Sequence, residues 1–185
     1  MRGRASVALA ATATLFVARA AEAEPLPPGA IGVFAGGAAG TGADNATLGV
    51  GYLLGASAAW QPMSTDQWIN WCAKWTVAFG TMSYAEAARV GDELLTLQLD
   101  LMPGIRIRRG QSRSHYIALR AGGALLRTDQ VIPDRMSRVF VGAAASIGYD
   151  WFIAGWLVSV DAKYAMIGTG PTSISLTLGI GKTGP

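Results

Sequence analysis

A chain of 185 residues is long enough for one domain with a full core and gives no reason to expect a second. Hydrophobic residues make up 51% of it and charged residues only 15%, well under the roughly 25% charge of an average soluble domain. The only long apolar run lies at the N-terminus, which excludes a bundle of membrane-spanning helices needing about 20 apolar residues each.

That N-terminus reads MRGRASVALAATATLFVARAAEAEP. Arg2 and Arg4 form a basic start, Ala5 to Val17 an apolar stretch too short to span a bilayer comfortably, and Ala21-Glu22-Ala23 a small-residue cleavage site. Residues 1–23 therefore read as a cleaved export signal and 24–29 as a short Pro-rich lead. The signal carries Arg2, Arg4, Arg19 and Glu22, a net of +2, so the +3 of the whole chain falls to +1 after cleavage. No basic patch interleaved with aromatics suggests a nucleic-acid partner. One cysteine, Cys72, cannot form an intramolecular disulfide, and one histidine with one cysteine cannot supply a metal site.

The remainder alternates apolar and polar residues with period two in eight stretches, near 30–37, 48–60, 68–82, 93–108, 115–127, 138–149, 155–166 and 172–182. In ELLTLQLDLMPGIRIRR (93–109), Leu95, Leu97, Leu99, Leu101, Ile105 and Ile107 share one face, and Thr96, Gln98, Asp100, Gly104, Arg106 and Arg108 the other. The third stretch sets Ile69, Trp71, Trp75, Val77 and Phe79 against Asn70, Cys72, Lys74 and Thr76; the last sets Ile174, Leu176, Leu178 and Ile180 against Ser173, Ser175, Thr177 and Gly179. SYAEAARVGDE reads as a connection with some helical propensity, and GAAGTGADN as a Gly-rich flexible loop that lacks the Lys-Ser/Thr ending of a phosphate loop. Connections after the first, third and fifth stretches read as about ten residues, and those after the second, fourth and sixth (QPMSTD, RGQSRS, DWFIA) as about five or six.

Two architectures produce this periodicity, a soluble barrel with its apolar face inward and a membrane barrel with its apolar face outward. The polar face is filled mostly by Gly, Ala, Ser and Thr with isolated charges, which is too little charge for a water-exposed surface. It suits the interior of an eight-stranded barrel, which is only just wide enough for side chains. The apolar face is branched and aromatic, and Trp60, Trp68, Trp71, Tyr149, Trp151, Trp156 and Tyr164 gather toward strand ends, as a girdle at the lipid headgroups requires. Trp75 and Phe79 lie deeper.

The signal, the strand count and phrases such as ELLTLQLDLMPGIRIRR followed by HYIALRAGGALLRT resemble the small eight-stranded outer-membrane β-barrels of Gram-negative bacteria, the OmpA/OmpX-like group, over roughly residues 30–182. The group usually ends in a strand with a terminal aromatic residue, and this chain ends LTLGIGKTGP. The resemblance implies a periplasmic N-terminus, with the odd-numbered connections outside the cell. Lipid A deacylases share the architecture and use a His-x-Ser pair with a distant Glu. Here the sequence is SRSHYIAL, with Ile117 where the serine should stand and Ser112 and Ser114 ahead of His115.

Lys74, Asp100, Arg106, Arg120, Asp161 and Lys163 fall on the polar face. Buried charges must pair to be tolerated, so these four cations and two anions read as an ion-paired plug of the barrel interior with an excess of positive charge. The expectation is an all-β, eight-stranded antiparallel up-and-down transmembrane barrel over 30–182, followed by a tail at 183–185. It is a monomer of the outer membrane with a structural or surface-interaction role, no catalysis and no cofactor or metal, and its partner is outer-membrane lipid, with no protein partner legible. The alternatives are a soluble periplasmic lipocalin-like barrel around an apolar ligand, or a narrow pore.

Overall fold

The computed structural model describes residues 29–41, 49–61, 68–83, 93–111, 113–130, 136–167 and 172–184. They form eight strands: β1 (Gly29–Thr41), β2 (Val50–Trp60), β3 (Ile69–Ser83), β4 (Glu93–Arg108), β5 (His115–Gln130), β6 (Met136–Ile153), β7 (Trp156–Met166) and β8 (Thr172–Thr183). Each pairs antiparallel with the next, and β8 pairs with β1, which closes the sheet into an up-and-down barrel with no free edge. The expected export signal and most of the lead lie outside the described residues, as do residues 84–92 and the GTGP stretch at 168–171.

The first residues of the odd-numbered strands and the last residues of the even-numbered strands lie at one end of the barrel, here the turn end; the opposite strand ends, which flank residues 42–48, 84–92, 131–135 and 168–171, lie at the other, the loop end. Successive side chains of a strand point to opposite faces, and β3 shows the result. Asn70, Cys72, Lys74, Thr76 and Ala78 are buried in the interior while Ile69, Trp71, Trp75, Val77 and Phe79 are exposed outside. The register holds along each pair, so every strand keeps its polar side inward. Between β4 and β5 the pairing lapses at Met102 and Pro103, where proline has no N–H to give, but resumes in the same register at Gly104↔Arg120.

Two expectations need correction. DWFIA is not a five-residue connection: β6 runs on through Asp150, Trp151, Phe152 and Ile153, and the chain reverses in two residues, Ala154 and Gly155, at φ of 47° and 77°. Positive φ at both central residues is the requirement of the tightest hairpin turn, whose twist matches that of the strands. Likewise β1 continues through Gly37–Thr41, so the first part of GAAGTGADN is strand and the rest lies outside the described residues. With β1 longer, the first loop is no longer than the first turn (42–49 against 61–68), and the alternation of long and short connections is weaker than the sequence suggested.

The interior is layered. Toward the loop end, Phe34, Ala38, Leu53, Ala78 and Met82 form one apolar cluster, and Met102, Ala124, Leu126, Ala144, Ala165 and Ile167, with Phe140 against them, form another. Near the turn end Ala30, Ala59 and Leu157 pack with Phe152. The charged residues lie between these layers.

Eight strands curve so tightly that some inward positions admit no side chain. At Gly104 a Cβ would run into the carbonyl oxygen of Leu119 and lie 2.7 Å from the Cα of Arg120, both rigid backbone of β5. Gly104→Val should cost about 1–3 kcal/mol of stability, as overpacking does, and lower the unfolding temperature in detergent followed by circular dichroism. Gly123→Ala, whose added methyl meets nothing within 4 Å on the outer face, should leave it unchanged; equal melts for the two would contradict this account of the curvature.

Candidate functional site

All six charged residues singled out on the polar face point into the barrel, and the structure adds a seventh, Asp150. They come from β3 (Lys74), β4 (Asp100, Arg106), β5 (Arg120), β6 (Asp150) and β7 (Asp161, Lys163). Arg106 and Asp150 are among the largest fully buried side chains.

Asp150 is the hub. Its Oδ2 accepts from Arg106 Nε at 2.6 Å and from Arg120 Nη2 at 2.5 Å. Arg120 Nη1 also donates to Asp161 Oδ1 at 2.6 Å, and Lys74 Nζ donates to Asp161 Oδ2 and, at 3.4 Å, to Ser159 Oγ. Arg106 Nη1 reaches Gln61 Oε1 at 2.6 Å, just past the end of β2, and its guanidinium lies 5.3 Å from the centre of the Phe152 ring. One continuous chain, Lys74, Asp161, Arg120, Asp150, Arg106, Gln61, thus links β3 to β7 and reaches the end of β2. A second group centres on Asp100, which accepts from Lys163 Nζ at 2.5 Å, Thr76 Oγ1 at 2.8 Å and Gln98 Nε2 at 2.9 Å.

Most of these contacts join strands that are not sheet neighbours: Lys74 (β3) to Asp161 (β7), Lys163 (β7) to Asp100 (β4) and Arg106 (β4) to Asp150 (β6) all cross the interior. Small residues make room for them. Gly148 stands opposite Asp161 in the ladder, and a Cβ there would collide with the Asp161 carboxylate and sit 3.0 Å from Arg120 Nη1.

The count of charges needs correction. With Asp150 included there are three anions to four cations, so the positive excess falls from two to one. Sequence reasoning missed Asp150 because it assigned residues 150–154 to a connection. The available signal was the parity of Gly148, Asp150 and Phe152 against Tyr149, Trp151 and Ile153, which continues the strand pattern.

The space lined by Lys74, Arg106, Arg120, Asp150 and Ser159 has room for about one water molecule. Arg106 Nη2, Arg120 Nε and Asp150 Oδ1 have no protein partner, which is the kind of donor and acceptor set a single buried water satisfies. An apolar ligand inside would have to displace buried ion pairs, so the interior does not suit the lipocalin-like alternative. Nor is a space of that size a conduction path.

His115, the first residue of β5, lies on the outer face at the turn end. Its Nδ1 is 2.9 Å from the Tyr149 hydroxyl and its ring stacks on Trp151 at 5.3 Å between centres. Ile117, where a deacylase-like serine would stand, faces outward and is exposed. Cys72 is buried inside the barrel.

The outer face carries the opposite chemistry. Ile31 is 75% exposed, Trp71 70% and Val141 69%, and each of the eight strands adds large apolar side chains to this surface. Trp60, Trp68, Trp71 and Trp156 are exposed at the turn end, with Trp151 partly exposed beside them; Tyr52 and Tyr164 are exposed nearer the loop end.

Neither a protein-family model nor a curated protein matches the chain. Solved structures do. The chain is similar to Ail, the attachment invasion locus protein of Yersinia pestis, solved with the heparin analogue sucrose octasulfate, at 10% identity and a TM-score of 0.59, over 85% of this chain and 98% of that one. It is similar to Neisserial surface protein A at 11% identity and a TM-score of 0.57, over 88% and 100%. The outer membrane protein OprG of Pseudomonas aeruginosa matches at 12% identity and a TM-score of 0.54, over 85% and 95%. The chain therefore has the fold of the small eight-stranded outer-membrane β-barrels.

Asp150→Asn should leave Arg106 and Arg120 without their shared carboxylate and cost roughly 3–5 kcal/mol, as breaking a buried pair does, seen as a lower unfolding temperature in detergent. Asp129→Asn, which breaks the exposed pair with Arg127 at 3.1 Å, should not move it. Similar effects of the two substitutions would show that the interior pairs do not hold the barrel together.

Proposed function

We propose that this chain is a monomeric outer-membrane protein, exported through a signal at residues 1–23, that spans the membrane as a closed barrel and serves a structural or surface-interaction role without catalysis. The single observation that carries the reading is the inverted distribution of polarity. Charged side chains of five strands are buried inside, while large apolar side chains of all eight strands are exposed outside. Soluble monomers rarely expose apolar patches beyond a few hundred Å², whereas a lipid-facing band about 25 Å tall requires them. Length agrees. The shortest strands, β2 and β7, have 11 residues, which at about 3.3 Å per residue and a tilt near 40° rise about 28 Å.

A role without catalysis is supported by the surroundings of His115. Its polar contact is a tyrosine hydroxyl, and a nucleophile-base-acid triad needs three groups in hydrogen-bond reach. A surface-interaction role is supported by the fold it shares with Ail, the attachment invasion locus protein. The resemblance to outer-membrane barrels supports a turn end in the periplasm and a loop end outside the cell.

The protein should fractionate with membranes, come out only with detergent, and run faster on a gel when unheated than after boiling. Release by salt or alkaline wash without detergent, or one mobility under both conditions, would sink the membrane reading. In planar bilayers it should give no steady conductance; discrete open levels would revive the narrow pore.

A further inference from the structure

β8 differs from the other strands in what it turns inward. Its inner row is Ser173, Ser175, Thr177, Gly179 and Gly181. Among the described residues β8 is the only strand with no member in an apolar cluster of the interior or in the ion-paired network. Ser175 is buried and its hydroxyl has no protein partner. The side-chain bonds at the strand's two ends, Thr172 with Thr41 and Thr183 Oγ1 to the Gly155 carbonyl at 2.8 Å, go to β1 and to the turn that leads into β7, its own ladder neighbours. Phe34 of β1 pairs with Gly179, but its ring leans the other way: a Cβ on Gly55 of β2 would lie 2.7 Å from the ring tip.

We propose that β8 is the panel at which this barrel opens: it parts from β7 and β1 as a unit while β3–β7 stay joined by their ion pairs, and water reaches the buried hub through the gap. The inference rests on the barrel and its interior contacts, not on the membrane reading. Every strand of a closed barrel shares two ladders, so parting breaks the same kind of backbone bonds wherever it happens, and the interior decides which strand goes first. β7 has 11 residues to the 12 of β8, yet to leave it would have to give up the pairs of Asp161 with Lys74 and Arg120 and of Lys163 with Asp100. β8 gives up none, and the Ser175 hydroxyl gains a partner in water. Parts of a fold with few interior contacts open well below the cost of global unfolding. The gap would fall beside the hub, because Gly32 of β1 and Gly181 of β8 face each other in the ladder and, with Ile180, line the water-sized space next to Arg106, Arg120 and Asp150. Two facing glycines put no side chain between that space and the wall.

The test is amide hydrogen exchange of the full barrel in detergent micelles, followed residue by residue by nuclear magnetic resonance. Amides midway along β8, at Thr177 and Leu178, should exchange at least about tenfold faster than Ala144 and Ala145 midway along β6, and faster than the β7 amides bonded to β6, which sit in a strand of nearly the same length. Low concentrations of guanidinium chloride should speed the β6 amides more steeply than those of β8, because opening one strand exposes less surface than unfolding the barrel. Thr76→Val, which removes one hydrogen bond to Asp100, should speed the β4 and β6 amides about fivefold and leave those of β8 unchanged. Equal rates in β8 and β6, one guanidinium dependence for both, or an equal acceleration of both by Thr76→Val would overturn the proposal, since β8 would then leave only when the whole barrel unfolds.

Discussion

A carboxylate shared by two guanidinium groups in a space without bulk water is the constraint from which the rest of this barrel follows. Asp150 is fully buried, and both of its partners, Arg106 and Arg120, are nearly so. Any one of the three left alone would face the cost of an unpaired buried charge. Backbone ladders tie each strand only to its two neighbours, and it is the side chains of the interior that tie β3 to β7 and β4 to β6 and β7. A slip of one residue in any ladder would turn its charges outward, so the pairs and the register specify each other.

The surplus of one positive charge is handled within the same network. Arg106, at its end, has a carboxylate on one side only; its remaining contacts are the Gln61 amide oxygen and the face of Phe152. Both present partial negative charge to a cation without adding an anion that would itself need a partner. The cost of an odd charge is thus met by dipoles at the turn end, while the apolar clusters toward the loop end close the interior on the other side.

Much of this was legible in the sequence because a closed barrel of eight strands is written in one simple code. Period-two alternation located all eight strands within a few residues at most ends, and the parity that carries Lys74, Asp100, Arg106, Arg120, Asp161 and Lys163 is the parity the fold turns inward. The hub was lost at a place where the code and turn statistics conflict. In GYDWFIAGW, an aspartate beside aromatics and a glycine reads as a loop, yet only Ala154 and Gly155 leave the strand. Pairing was harder still to foresee, because alternation says that Arg106 and Asp150 share the interior but not that strands two apart meet there.

Small and charged residues on the polar face turn out to be one device. Charges cannot cross a narrow interior unless their neighbours give up volume, and Gly148 opposite Asp161 gives up a side chain at the spot where the carboxylate meets Arg120. Gly104 performs the complementary service in the wall, letting β4 and β5 approach closely beside that same arginine. A composition rich in glycine and poor in charge is therefore not a weak version of a soluble surface. It is what remains when a sheet is curled until its polar side has room for seven charges and the groups that satisfy them.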